Sequence, residues 1–240
     1  MDANLREYWG AAEGGRNERA ESARLEGARS PPRMQGDGVM KFPLRTAVAA
    51  LALISATPSL GAIVSYNGTD YTEGQTIVVN FNGVVDGTVV DGLTSTLNLT
   101  FTGVSDDDFL FHYVLDNTSS DPITGSTVTG FGFSTDPNAN IDESEVDGTF
   151  IFVNGGSFPQ GRGVEVCFVS NQDNNCQGAG NGDTGALFDG DDAIGDIILD
   201  LDGVFGTLVL SDFHVRYQAI DGDGFDGDSG VGDPTGAVPE

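Results

Sequence analysis

Basic residues are nearly absent from this 240-residue chain. Ten Lys and Arg stand against 37 Asp and Glu, for a formal net charge of −27. Beyond residue 62 only Arg162 and Arg216 remain, facing thirty carboxylates. A surface of that sign repels phosphate backbones and anionic lipid head groups, so a nucleic-acid partner is not expected. It attracts divalent cations and keeps a chain soluble. Histidine is almost as scarce. His112 lies between Phe111 and Tyr113, and His214 follows Phe213. Both read as residues pointing off strands rather than as general bases. There is no Gly-x-Ser-x-Gly elbow for a nucleophile. Gly155-Gly156 and Gly161-Arg162-Gly163 lack the following helix that a phosphate loop needs. A pair of carboxylates about 5–10 Å apart, as a glycosidase uses, arises by chance among so many acids and carries no information. The expectation is a protein that is not an enzyme.

Long apolar runs are also missing, with one exception. Ala47 to Ile54 is unbroken, preceded by Lys41 and Arg45 and followed by Pro58 and the small residues Ser59, Gly61 and Ala62. Positive charge, short apolar stretch and small-residue site occur in the order of a secretory leader. The run is too short to span a bilayer, which takes about 20 residues. Residues 40–62 therefore read as a signal peptide, with Gly61 and Ala62 marking the cleavage site. The 39 residues ahead of Met40 are polar, rich in Arg, Glu and Gly, and lack apolar periodicity, so they read as a disordered extension. The simplest expectation is that Met40 is the true first residue.

Only two cysteines occur, Cys167 and Cys176. The spacing is not Cys-x-x-Cys and neither histidine lies nearby in sequence, so zinc and redox roles are disfavoured. In an oxidising compartment this pair is expected to form a disulfide.

What the chain does have is period-two patterning. Thr96 to Thr102 alternates polar and apolar residues cleanly, as a half-buried strand does. Phe109–Leu115 is apolar on both faces and reads as a more buried strand. Thr76–Phe81, Gly125–Phe133, Thr149–Val153, Val164–Val169 and Ile194–Leu201 are further strands, and Phe205–Ile220 is another that bends near Ser211-Asp212. Between them lie turn pairs: Asn67-Gly68, Asn82-Gly83, Asp86-Gly87, Asp91-Gly92, Asp147-Gly148, Asn154-Gly155 and Asp202-Gly203. No helical apolar stripe follows Ala62. The fold class expected is all-β: a single-domain antiparallel two-sheet sandwich over residues 63–220, of jelly-roll or immunoglobulin-like type, with a barrel as the alternative. Fifteen phenylalanines supply core volume. Gln177 to Asp192 reads as a long loop. Residues 221–240 read as an acidic Gly/Asp-rich linker that ends the fold.

Acidic clusters are the only candidate metal sites. Asp221, Asp223, Asp226 and Asp228 could offer oxygens to calcium, which takes about six to eight. Asp189, Asp191 and Asp192 form a second cluster, and Asp106, Asp107 and Asp108 a third. None fits an EF-hand loop, since Phe225 stands at a ligand position. Arg216 is expected to pair with a carboxylate across the sheet.

The leader, the Cys-x8-Cys pair followed by Gly- and Asn-rich residues, the run Leu210-Ser211-Asp212-Phe213-His214-Val215-Arg216-Tyr217-Gln218 and the closing Val238-Pro239-Glu240 together resemble bacterial PEP-CTERM proteins. The nearest subgroup is the cistern family, which Asn117-Thr118-Ser119 and Gly130-Phe131-Gly132-Phe133 also resemble. The resemblance covers roughly residues 40–240. It implies export and processing by an exosortase-type membrane protease that reads a Pro-Glu-Pro motif, a hydrophobic helix and a basic tail. It also implies association with the cell surface and with exopolysaccharide. Here the motif stops at Val238-Pro239-Glu240, one residue short of the second proline, so a transient membrane anchor would depend on sequence encoded past Glu240. The resulting expectation is a periplasmic, cell-surface or extracellular-matrix protein without catalytic activity and without a resident cofactor, unless calcium. The alternative is an extracellular carbohydrate-binding module, calcium-dependent if the acidic loops bind the ion, using exposed Tyr66, Tyr71 or Tyr217 in a shallow groove. A hydrolase is the third and least supported reading.

Overall fold

A computed structural model describes residues 61–106, 108–141, 146–170, 176, 184–203 and 206–235, with backbone alone at 152–154. The readings placed on residues 1–60 and 236–240 lie outside these. Every described residue belongs to one compact unit, Ala56–Glu240.

Alternation of apolar and polar residues dictates what forms. Thirteen strands follow in chain order: β1 (Ile63–Tyr66), β2 (Thr69–Tyr71), β3 (Thr76–Val85), β4 (Thr88–Ser105), β5 (Asp108–Asp116), β6 (Ile123–Asp136), β7 (Asp147–Gly148), β8 (Ile151–Phe158), β9 (Arg162–Val169), β10 (Ala186–Leu187), β11 (Ala193–Asp200), β12 (Thr207–Gly222) and β13 (Phe225–Pro234). A 3-10 turn, Pro159–Gly161, links β8 to β9. Among the described residues there is no α-helix. The hydrogen-bonded order is β7-β11-β5-β4-β3-β13-β12-β6-β9-β8. β1 pairs with β12 in parallel, and β10 joins β6.

This continuous sheet folds back on itself. β5 and β6 are five places apart in the order, yet the rings of Tyr113 and Phe131 meet at 5.1 Å. The Tyr217 hydroxyl on β12 likewise donates to Ser95 Oγ on β4 at 2.7 Å. The expected antiparallel β-sandwich therefore forms, its two layers being halves of one sheet. Among the described residues ten phenylalanines are fully buried, most of them between the layers. Full burial of one such ring contributes about 1.5–3 kcal/mol.

Most expected strands appear, usually longer than their apolar runs. Strand β12 bends where expected: its register slips between Ser211 and His214, and Asp212 has φ 50°. Asn67-Gly68 and Asp86-Gly87 turn hairpins with both residues at positive φ. Four turn expectations are corrected. Asn82-Gly83 forms a bulge within β3, Asp91-Gly92 lies inside β4, Asn154-Gly155 lies inside β8, and Asp147-Gly148 is the short strand β7 paired with β11.

The larger correction concerns residues 221–234. They are not a linker beyond the fold. Asp221 and Gly222 end β12, and Phe225–Pro234 is β13, a central strand between β12 and β3. The domain boundary at 220 is thus too early. Its glycines are what allow it. A Cβ at Gly232 would collide with Val215, Tyr217 and Phe81, and one at Gly230 with Val84 and Val85, so this strand fits because those two positions carry no side chain.

Candidate functional site

Inward-facing residues of β12, namely Phe213, Val215 and Tyr217, join the main core. The alternation that buries them turns His214, Arg216 and Gln218 to the opposite face. That outer face is not open. A second apolar cluster lies on it, made of Val84, Phe158, Val164, Cys167, Val169, Cys176 and Val231. Glycines at 130 and 132 on β6 let β9 close down, because a Cβ at either would meet Val169, Cys167 or Phe158. The Cys167–Cys176 disulfide, with Cα atoms 6.1 Å apart, fixes the chain there. The expected disulfide is therefore present.

The tip of the β8–β9 hairpin is pinned across this face by polar contacts. Gln160 Oε1 accepts from Gly87 N at 3.2 Å, and Gln160 Nε2 donates to Val84 O at 3.4 Å. Arg162 grips Asp233 with two parallel bonds, Nε to Oδ1 at 3.0 Å and Nη2 to Oδ2 at 2.5 Å. Such forked charge-assisted pairs are the stronger kind. His214 Nδ1 stands 3.1 Å from Asp233 Oδ1, within ion-pair distance. His214 and the Arg162 fork together hold the Asp233 carboxyl far below the usual carboxylate range, against the opposing effect of burial.

Arg216 departs from expectation. It is 7% exposed, and among the described residues it pairs with no carboxylate. Its neighbours in register are Val231 and Gly130, neither of which can carry charge. Nη1 donates to Gly230 O at 2.9 Å, and Nε has no partner. Desolvation pushes its pKa down. Nothing in the sequence marked this side chain as unpaired, because the pairing depended on which strands would flank β12.

The four-aspartate hairpin does not assemble as a ligand set. Asp221 Oδ1 accepts from Gly227 N at 2.9 Å and Asp228 Oδ2 from Asp226 N at 3.2 Å, so these carboxylates cap their own β12–β13 turn. Asp223 stands at the turn itself with φ 50°. Among the described residues no three His, Cys, Asp or Glu converge as a metal site. Of the second cluster, Asp189 sits at φ 49°, Asp191 accepts from Leu187 N through its carbonyl, and Asp192 hydrogen-bonds Asp116. Burial first, then Asp192, raises the Asp116 pKa. Of the third, Asp106 takes φ 59° at the β4–β5 turn and Asp108 lies opposite Asp200, while Asp107 falls outside the described residues.

The remaining candidates fall elsewhere. His112 Nδ1 is 2.8 Å from Asp196 Oδ1 on an exposed face. Among the described residues no hydroxyl is hydrogen-bonded to either imidazole. Tyr217 is fully buried, which corrects its place among exposed groove aromatics, and Tyr66 and Tyr71 are half-buried against the core. Gly61 is exposed and Ala62 half-buried, and both line a cleft of about 400 Å³ with Thr72, Glu73, Phe101, Gly103 and Val104. Asn117, singled out in the sequence, ties the β5–β6 connection to Ser126 and Ala186 through its amide, a structural role. Val238, Pro239 and Glu240 lie outside the described residues. Comparison with known families, with curated proteins and with solved structures returns no match.

Proposed function

We propose that this chain is an exported, non-enzymatic cell-surface or matrix protein of PEP-CTERM type, with exopolysaccharide as its surroundings. The observation that carries the reading is the leader-like sequence at 40–62, its positive charge, apolar run and small residues in that order, with the first strand of the domain, β1, beginning at Ile63. The disulfide and the net charge of −27 support it: the first suits an oxidising space, the second a soluble exterior. An exosortase-type protease would be its processing partner where the sorting signal continues past Glu240. The calcium-dependent sugar-binding alternative gains nothing from Tyr217, which is buried, or from the aspartate hairpin, which caps itself.

Fusing residues 40–62 to alkaline phosphatase, which is active only after export, tests the reading in a Gram-negative host. Export should give phosphatase activity that is lost when Leu51 and Leu53 are both replaced by Arg. Activity no greater than that of the leaderless enzyme would contradict the proposal.

A further inference from the structure

The outward face of β3 and β4 departs from the acidity of the chain. Beyond residue 62 there are thirty carboxylates, yet the outward positions of β3 from Thr76 to Asn82 and of β4 from Thr94 to Thr102 hold only Thr, Asn and Val. Strand register sorts this face into rows that run across the strands. In one row Thr76 and Thr100 share a hydrogen bond of 2.8 Å, and beyond them His112 Nδ1 stands 2.8 Å from Asp196 Oδ1. In another, Thr96 donates to Asn80 Oδ1 at 2.9 Å, and Asp116 beyond it hydrogen-bonds Asp192. These two rows spend polar groups on each other. The row between them does not. It runs Val78, Asn98, Val114, Ile194. Val78 is 52% exposed and Ile194 is 47% exposed. The half-buried Asn98 carboxamide lies between aliphatic neighbours and makes no hydrogen bond among the described residues. It offers two donors and an acceptor within an apolar strip that crosses three strand spacings, about 14 Å.

We infer that this strip docks an uncharged glycan chain lying across β3, β4, β5 and β11, with sugar C–H faces on Val78 and Ile194 and a ring hydroxyl on the Asn98 carboxamide. Charge selects the occupant. A polyanion is repelled by the carboxylates around the strip, and a polycation is drawn to them, away from the stretch that has none. A second copy of the chain would press two strongly acidic surfaces together at the rim, where Asp116 and Asp196 stand. An uncharged chain that carries both C–H and hydroxyl groups meets neither penalty, and it matches aliphatic side chains beside a free amide. This docking needs no calcium and no exposed aromatic ring. It names a partner for the proposed matrix protein and rests on that reading only for where the glycan is met. Binding is measured on the purified chain and export by the phosphatase fusion, so the failure of one is distinct from the failure of the other.

The test is an NMR titration of the full chain, labelled with 15N and 13C, against two uncharged probes, cellohexaose and mannohexaose, and one charged probe, hexagalacturonate. The Asn98 carboxamide is assigned with Asn98→Ala. Its signals and the methyl signals of Val78 and Ile194 should shift and saturate with an uncharged probe. The methyl signals of Val231, buried in the second cluster, should stay in place. Hexagalacturonate should produce no saturating shift. Asn98→Ala should weaken binding about tenfold. Val78→Asp, at an exposed position, should keep the melting temperature and abolish binding. Asn98, Val78 and Ile194 signals unmoved by both uncharged probes in the unmodified protein overturn the site, as does hexagalacturonate binding as tightly as they do. Sedimentation in the absence of sugar covers the remaining occupant: a dimer in the unmodified protein that Val78→Asp dissociates assigns the strip to a second copy and overturns the glycan.

Discussion

Tyr113 and Tyr217 carry the two phenol groups that the fold buries, and each hydroxyl is used. Phe150 N donates to Tyr113 Oη at 3.0 Å, and Tyr217 Oη donates to Ser95 Oγ. Burial pushes the Tyr113 pKa up to about 12 and that of Tyr217 higher still. Tyr113→Phe should leave a buried N–H unsatisfied and lower unfolding free energy by about 1–3 kcal/mol in urea titrations. Asp116 and Asp233 should respond to pH with opposite signs. The Asp116 pKa is raised in the folded state, so its contribution is complete below the ordinary carboxylate range and is lost as pH rises through its folded value. Asp116→Asn should therefore raise the melting temperature at neutral pH and change little near pH 3. The Asp233 pKa is lowered, so its contribution is present above the ordinary range and fades as pH falls toward its folded value. Asp233→Asn should destabilise at neutral pH, with the difference shrinking in strong acid. Melting curves of both variants across pH check these signs.

At the scale of elements, the strands legible in the sequence were those with alternating or wholly apolar side chains. Thr96 to Thr102 reads directly as part of β4, and the bend at Ser211-Asp212 is visible because two polar residues interrupt the pattern. Strand β13 was not legible. Its sequence, Phe-Asp-Gly-Asp-Ser-Gly-Val-Gly-Asp-Pro, carries one fully buried apolar side chain, Val231, and reads as a flexible spacer. What fixes it is tertiary: it must fit where Val215, Tyr217 and Phe81 already crowd, and only glycine does. Replacement of Gly232 by Val should therefore unfold the domain or sharply lower its melting temperature, whereas Gly224→Ala at the hairpin tip, with open space but φ 90°, should cost far less. The partner of Arg216 was illegible for a related reason, since side-chain alternation reveals a face and not the strands beside it. The disulfide was legible from spacing and composition. Its loop spans a sequence separation of 9, so Cys167→Ser with Cys176→Ser should cost about 2–3 kcal/mol.

Across the whole molecule, charge of one sign dominates. Beyond residue 62, thirty carboxylates against Arg162 and Arg216 repel one another in the compact state, and dissolved salt screens that repulsion. The melting temperature should therefore climb with sodium chloride until the Debye length falls to a few ångströms, about 3 Å at 1 M. A two-layer β core closed by a disulfide and wrapped in acid agrees with the proposed export, for which the leader-like sequence at 40–62 would supply the route. The most direct test of that account is the intact mass of the protein purified from its own host, measured without reduction and after thiol alkylation. The account predicts a chain that begins at Ile63 with both cysteines protected by the bond between them. A mass that retains residues 40–62, with Cys167 and Cys176 both alkylated, would contradict it.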